Sequence, residues 1–232
     1  MDEYRELLLG CGRDRRKRYS AIPQHPRGWR MPGGPVTLDI NVRVKPDLWC
    51  DLNATPPWWA RIENHVRINA DCEAVGDLPR TQLGAVSVTT LQYESGVFYE
   101  MLPDYWDEIH AYQVLEHLGQ QGDFHALFAQ FAEIWRLLKP GGYFVGEVPS
   151  RRSEGLWGDP GHRRVIYPLT LVFLDQTQYT LQCDGPERAR TPMADYRDCY
   201  RADFTTVQKH DNGENFAFVL QAVKPSRYVE PK

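Results

Sequence analysis

The stretch DFHALFAQFAEIWRLLKPGGYFVGEV (123–148) combines the pattern of a helix with that of a strand directly after it. Within 123–139, apolar side chains recur at the spacing of one buried helix face. Asp123 is suited to cap the start of this helix, and Pro-Gly-Gly at 140–142 is suited to end it. The segment 142–148 is predicted to be the following strand. The apolar face consists of Phe124, Leu127, Phe128, Phe131, Ile134, Trp135 and Leu138.

Apolar runs elsewhere have the length and the flanking residues of strands. The clearest is VTLDIN (36–41), in which apolar and polar side chains alternate. A run before the helix, 108–115, implies a right-handed crossover between parallel strands when it is combined with the strand after the helix. Near the C-terminus, two β-rich runs within 202–224 flank Asn212-Gly213, a pair that favours a tight hairpin turn. Two further strands are predicted at 5–9 and 47–52. The pattern predicts a doubly wound, Rossmann-like α/β sheet that is mostly parallel and closes with an antiparallel hairpin.

Two stretches interrupt the alternation of strands and helices. Residues 60–104 include a hairpin-like segment at 86–101, and residues 150–200 include an apolar helix candidate around LTLVFLDQTQY. Both are interpreted as insertions that form a cap or an acceptor pocket within a single domain spanning 1–232. The hairpin-like segment could lend an edge strand to a second copy, so a homodimer is possible.

Composition narrows the classes of partner. The chain has 232 residues, 42% hydrophobic and 25% charged, with a formal net charge of −4, so a nucleic-acid partner is not expected. Five widely spaced cysteines without a C-x-x-C pair argue against disulfides and against a metal site, and they favour a reducing, cytoplasmic setting. No apolar stretch reaches membrane-spanning length. The basic run 13–18 is interpreted as a solvated loop.

Polar or small residues end several of the predicted strands. Gly10 and Gly12 follow the first strand, and Asp39 lies near the end of the second. Parallel α/β sheets bind ligands at the carboxyl ends of their strands, where glycines let a ligand approach the backbone. A carboxylate such as Asp39 can accept two hydrogen bonds from the vicinal hydroxyls of a ribose. Asp51, after the third strand, is suited to accept a bond from an adenine amino group.

Taken in order, these segments resemble class I S-adenosylmethionine-dependent methyltransferases of the small-molecule, type 11-like kind. VLEHL and RLLKPGG in this order are the most specific pieces, and the likeness covers about the first 150 residues apart from the insertion at 60–104. The matching segments are LLLGCG (7–12), LDIN (38–41), DLWCDLNATP (47–56), WDEIHAYQVLEHL (106–118), IWRLLKPGGYFVGEVPS (134–150) and GDPGHRR (158–164).

The resemblance implies a seven-stranded sheet and S-adenosyl-L-methionine as cofactor. It implies that the cofactor lies against the carboxyl ends of the first four strands. The cofactor-binding residues it suggests are Gly10, Cys11, Gly12, Asp39, Ile40, Asp51, Leu52 and Gln113.

The implied reaction is transfer of a methyl group to an oxygen or nitrogen of a small-molecule acceptor. Such an in-line displacement depends mainly on positioning, and a hydroxyl acceptor also needs a base. His117 in VLEHL and His162 in DPGHRR are the candidate catalytic residues, since neutral histidine is a natural base near pH 7.

Two alternatives remain open at this point. A non-catalytic module that retains the fold and acts in binding or assembly is one, because Leu8 stands where the family usually carries an acidic residue. A nicotinamide-dependent oxidoreductase is the other, although the third glycine of its G-x-G-x-x-G signature is replaced by Arg15.

Overall fold

The computed structural model describes residues 4–19, 35–44, 46–53, 103–185 and 193–231. Short 3-10 turns lie at Val42–Val44 and Leu115–His117, and a π-helical turn lies at Thr180–Asp184. The strands are β1 (Glu6–Leu9), β2 (Val36–Asp39), β3 (Leu48–Trp49), β4 (Trp106–Tyr112), β5 (Leu138–Pro149), β6 (Phe204–Asp211) and β7 (Asn215–Ala222). The helices are α1 (Phe124–Leu137), α2 (Glu154–Gly158), α3 (Pro168–Val172) and α4 (Gln176–Tyr179).

The strands of the described residues form one mixed sheet in the order β3-β2-β1-β4-β5-β7-β6. β1 pairs in parallel with β2 and β4, and β3 and β5 extend this parallel part on either side. β7 runs antiparallel to both β5 and β6. The predicted α/β class is confirmed. Because the strand order reverses at β1, the crevice outside the carboxyl ends of β1, β2 and β4 is the place where such a sheet binds ligands.

Helix α1 packs one apolar face against the sheet. Its start is capped by Asp123, whose side-chain oxygen accepts a hydrogen bond of 3.0 Å from the Ala126 amide. Phe131 meets Phe144 of β5 edge to face, with ring centroids 5.9 Å apart. The first residue of the predicted face, Phe124, is 37% exposed. The fully buried apolar members of the helix are Phe128, Phe131, Ile134 and Leu137.

The junction between α1 and β5 differs from the prediction. The helix ends at Leu137 instead of 139, and Leu138 is already extended, with φ −70° and ψ 144°. The helix stops early because Lys139 precedes a proline, and residues in that position avoid the helical region. Residues 139–142 then loop out opposite Asp107, whose two carboxylate oxygens each lie 2.8 Å from Lys139 Nζ.

Three predicted strands are shorter in the structure. The strand predicted at 36–41 ends at Asp39, whose carboxylate accepts the Asn41 amide in a local turn. The strand predicted at 108–115 runs from 106 to 112, because Gln113 has a φ of 56° and cannot continue it. The strand predicted at 47–52 is reduced to 48–49.

The predicted insertions are only partly described. Almost all of 60–104, including the hairpin-like segment 86–101, lies outside the described residues. Within 150–200 the single apolar helix predicted around LTLVFLDQTQY is wrong, because it is divided into α3, α4 and the π-helical turn. Asp175 makes the break: its backbone is extended, and its side chain caps α4 by accepting the Thr177 amide at 2.9 Å.

Two further predictions concern disulfide bonds and membrane-spanning segments. Cys11, Cys183 and Cys199 are free thiols, and Cys72 lies outside the described residues. Among the described helices, none has the length and apolar character needed to cross a membrane.

We expect Gly146→Ala to destabilise the pairing of β5 with β7. Gly146 lies opposite Phe218, and an added Cβ would come within 2.2 Å of the Phe218 ring. Overpacking of this kind costs about 2 kcal/mol of unfolding free energy, measurable by urea denaturation. The variant with Phe218→Leu in addition should recover part of this loss, and a G146A protein as stable as wild type would contradict the register described here.

Candidate functional site

A glycine loop and a carboxylate meet at the carboxyl ends of β1 and β2. The Gly10 amide donates to the Leu38 carbonyl at 2.7 Å, which joins the loop to β2. Asp39, 7% exposed, accepts the Gly12 amide on Oδ2 at 2.8 Å and the Asn41 amide on Oδ1 at 2.7 Å. Each oxygen of a carboxylate can accept about two hydrogen bonds, so Asp39 retains acceptor capacity for a ligand.

The two glycines of this loop have different surroundings. Both have positive φ, 57° at Gly10 and 53° at Gly12, a conformation that favours glycine. A Cβ on Gly10 would collide with Val114, whereas a Cβ on Gly12 would meet none of the described residues within 4 Å. Gly12 therefore opens on free space that a ligand can fill. Cys11 between them is buried, and burial raises the pKa of its thiol to about 11, so it is packed and protonated near neutral pH.

The predicted adenine-side residues follow β3 and adjoin the loop after β4. Asp51 is half-buried and accepts the Asn53 amide at 2.9 Å, while Leu52 is buried in the core. The Asn53 side chain accepts the Gly119 amide at 2.9 Å, which connects the end of β3 to the turn after β4. Ile40, next to Asp39, is partly buried.

Gln113 ends β4 in a left-handed conformation, and its contacts are directed toward β5 and β7. Its backbone N–H donates to the Glu147 carbonyl at 2.7 Å, and its side-chain Nε2 donates to Asn215 Oδ1 at 3.2 Å. The structure thus holds this side chain at the end of the sheet.

Val114 joins the glycine loop to the turn that carries His117. Its side chain fills the space beside Gly10, and its carbonyl accepts the His117 amide at 3.1 Å. The structure therefore places the predicted catalytic turn directly beside the predicted cofactor loop.

His117 and His162, 45 positions apart in the chain, lie together in the structure. Their ring centroids are 4.7 Å apart, and the rings meet edge to face. His117 Nδ1 is 3.0 Å from the Gly161 carbonyl, and His162 Nδ1 is 3.0 Å from the Leu156 carbonyl. A carbonyl only accepts, so each Nδ1 carries the proton and each neutral ring presents an unprotonated Nε2.

Glu116 completes a cluster with these histidines, and sequence reasoning missed it. It is 0% exposed, and neither carboxylate oxygen has a hydrogen-bond partner among the described residues. Burial raises its pKa to about 7, against the smaller opposing effects of its own backbone N–H and of His162. The His162 Nε2 atom lies 3.9 Å from Glu116 Oε1. The sequence shows that Glu116 lies next to His117 in VLEHL, but it does not show that Glu116 is buried.

A cavity of about 270 Å³ opens beside this cluster. Arg164 lines it and is itself 6% exposed, with its Nη2 donating to the Gln120 and Asp123 carbonyls. The Arg164 amide donates to the Glu116 carbonyl at 3.2 Å, so the cavity wall is bonded to the histidine turn. Its aromatic lining comes from Phe124, Phe128, Tyr167, Phe173 and Tyr196.

The basic run 13–18 is only partly the solvated loop that was predicted. Arg16 is exposed, but Lys17 is half-buried between Glu6 and Glu108, and Arg18 bonds Glu147 at 2.7 Å. The run follows the sheet because carboxylates on β1, β4 and β5 face it, a placement that spacing alone does not reveal.

The sheet order, the glycine loop after β1 and the carboxylate at the end of β2 together define a doubly wound α/β sheet with a ligand-binding crevice at its switch point. No protein-family model matches the chain, and no curated protein matches it.

Similar solved structures include methyltransferases. One is a SAM-dependent methyltransferase from Archaeoglobus fulgidus, with 15% identity, 94% of this chain and 86% of that chain covered, and a TM-score of 0.41. A second, from Mesorhizobium loti, has 13% identity, coverages of 94% and 90%, and a TM-score of 0.37. A third is the CurJ carbon methyltransferase, with 14% identity, coverages of 95% and 49%, and a TM-score of 0.41.

Proposed function

We propose that this chain is an S-adenosylmethionine-dependent methyltransferase that acts on an oxygen or nitrogen of a small-molecule acceptor. The observation that carries the proposal is the Asp39 carboxylate, which bonds the Gly12 amide at 2.8 Å beside the reversal point of a parallel sheet. Spare acceptor capacity on Asp39 and open space at Gly12 fit a ribose and a methionine chain, respectively.

Each candidate residue then has a role set by its place. Gly10, Cys11 and Gly12 present backbone to the cofactor, and Asp39 accepts the ribose hydroxyls. The adenine end of the cofactor is assigned to Ile40, Asp51 and Leu52. Gln113 is assigned to cofactor binding at the end of β4. When bound, the cofactor supplies a methyl group on a positively charged sulfur, which the acceptor atom displaces in line.

His117 and His162 are the proposed catalytic residues. His117 lies on the turn bonded to Val114, beside the cofactor loop, and the His162 ring packs against it; in the neutral tautomers set by their carbonyl contacts, both rings have an unprotonated Nε2. For a hydroxyl acceptor, this pair draws away the proton as the new bond forms. A neutral amine needs no such help, so dependence on the histidines distinguishes oxygen from nitrogen acceptors.

The aromatic cavity beside Arg164 is the proposed acceptor pocket. Its volume of about 270 Å³ suits a small molecule, and its apolar lining with one buried guanidinium suits an aromatic compound that carries an anionic group. This lining comes from the start of α1, from the segment 164–173 and from Tyr196; the last two belong to the region 150–200 that was predicted to shape the pocket.

Calorimetric titration with S-adenosylmethionine and S-adenosylhomocysteine tests the cofactor proposal. We expect Asp39→Asn to weaken binding by about 100-fold, because two hydrogen bonds to a charged acceptor are lost or weakened. Asp47→Asn is the matched control: Asp47 also accepts two hydrogen bonds from β2, through the Thr37 amide and hydroxyl, but it lies before β3 rather than at the glycine loop.

The outcomes separate the alternatives. Binding that is lost in D39N and kept in D47N supports the proposal. A folded wild-type protein that binds neither ligand contradicts it and favours the non-catalytic binding module. Heat with NAD⁺ alone favours the oxidoreductase.

A further inference from the structure

Glu116, His117 and His162 each direct a potential metal ligand toward the same point. One ligand atom from each lies within 4.8 Å of the others. The carboxylate of Asp159 is next to them, with Oδ2 3.7 Å from His162 Nε2. The cluster therefore gathers two imidazoles and a buried carboxylate, with a further carboxylate at its edge.

The hydrogen bonds of the two rings orient them as they are oriented in metal sites. Ligating histidines donate their second ring N–H to a carbonyl or carboxylate, which leaves the other nitrogen free for the metal. His117 and His162 both do this, through Gly161 and Leu156 carbonyls at 3.0 Å. Two independent backbone contacts thus select the same tautomer.

Glu116 has no side-chain hydrogen-bond donor among the described residues. In the neutral tautomer that the Leu156 carbonyl selects, His162 Nε2 and the Glu116 carboxylate are both acceptors and lie 3.9 Å apart, and Glu116 is fully buried with both oxygens unpartnered. Buried acceptors are almost always satisfied by a donor or a cation.

A second carboxylate–histidine cluster shows the contrasting case. Glu6, Glu108 and His110 also place ligand atoms within 4.8 Å of one another. There the Lys17 ammonium lies 2.8 Å from Glu108 and also pairs with Glu6, so a side chain of the protein already supplies the positive charge.

We propose that Glu116, His117 and His162 bind a divalent transition-metal ion. Two imidazole ligands favour zinc or a neighbouring metal over magnesium or calcium, which prefer oxygen. Three protein ligands with an open position are typical of a catalytic rather than a structural site. No metal site was expected from the sequence, because Glu116-His117 and His162 are far apart in the chain and have no recognised spacing.

The use of this metal rests on the proposed function, whereas its binding does not. A hydroxyl acceptor bound to the ion has a lowered pKa, so its proton passes to solvent before the oxygen takes the methyl group. The histidines then contribute to removal of the proton as metal ligands. This role of the histidines applies to an acceptor that is methylated on oxygen.

The test is titration of chelator-treated full-length protein with Co²⁺, followed by visible absorption, and with Zn²⁺, followed by calorimetry. We expect one equivalent to bind, and Glu116→Gln and His162→Gln each to weaken binding by about 100-fold or more. His210→Gln, at an exposed position on β6, is the matched control and should bind as wild type. Thermal melting of each variant without metal identifies any that fail to fold, and His117→Gln is the substitute in that case.

Binding that is unchanged in E116Q and H162Q, or no binding to the wild-type protein, overturns the metal proposal. Calorimetry with S-adenosylhomocysteine on the same samples keeps the two proposals separate. Wild-type protein that binds the cofactor but no metal contradicts the metal site alone, and wild-type protein that binds the metal but no cofactor contradicts the proposed function alone.

Discussion

Lys17→Met should lower the free energy of unfolding by about 3–5 kcal/mol, because it leaves two buried carboxylates without their cation. Lys17 pairs with Glu6 and with Glu108, and the side chains of these two carboxylates are 2% and 1% exposed. Tyr4 and His110 also contact Glu108, at 2.7 Å and 3.0 Å, but neither brings a permanent positive charge.

The same network predicts a dependence on pH. Burial by itself raises the pKa of Glu108, but the hydrogen bond and charge of His110, with bonds from Lys17 and Tyr4, outweigh it and lower the pKa from 4.5 to about 2. A lowered carboxyl pKa stabilises the fold above the ordinary value, and this stabilisation is lost as the pH falls from 4.5 toward 2. In K17M the acid transition should therefore begin at higher pH.

Urea denaturation at neutral pH and acid titration followed by circular dichroism measure these effects. Arg16→Ala is the control from the same basic run: its pair with Asp14 is exposed, at 77% and 40%, and should contribute little. K17M with Glu108→Gln should recover part of the loss. A K17M protein as stable as R16A would show that Lys17 does not pair in this way.

Gly10→Ala should cost about 3 kcal/mol of unfolding free energy, through positive φ and a collision with Val114. The added Cβ would lie 2.4 Å from Val114 Cγ2 and 2.9 Å from Val114 Cβ. Gly12→Ala shares the positive φ but meets open space, so it should cost only about 1 kcal/mol. Comparing the unfolding free energies of these two variants separates the cost of backbone strain from the cost of steric overlap.

The two variants should also differ in ligand binding. G12A places a methyl group in the space proposed for the cofactor, so it should weaken S-adenosylhomocysteine binding while remaining well folded. In the Val114→Ala background, G10A should cost less than in wild type, and a double-mutant cycle measures this coupling. Equal costs in both backgrounds would contradict the contact between Gly10 and Val114.

Local patterns predicted several elements well. The helix at 123–139 was found with its Asp123 cap, because helical periodicity and capping are properties of neighbouring residues. Its end was predicted two residues late, since the preference of the residue before Pro140 prevailed over the apolar pattern. The single helix predicted around LTLVFLDQTQY failed because Asp175 caps a new helix within an apolar run.

Sequence order alone indicated that Gly10, Gly12 and Asp39 follow strands, and the rule that parallel strands end at one edge was enough to group them. It did not indicate that Lys17 pairs with buried carboxylates, or that Glu116 lacks a side-chain donor among the described residues, because both depend on which strands become neighbours. The contact between His117 and His162 arises in the same way, from a loop that returns over the end of β4.

The amino-acid sequence by itself determined the elements, the class of the sheet and the residues at its strand ends, since periodicity, caps and turns act over a few residues. Only the tertiary structure decided which charges are paired, which carboxylate is left without a partner and which histidines meet. Burial and the electrostatic energy of a side chain depend on residues distant in the chain, and their contacts exist only once the sheet and its covering segments have assembled.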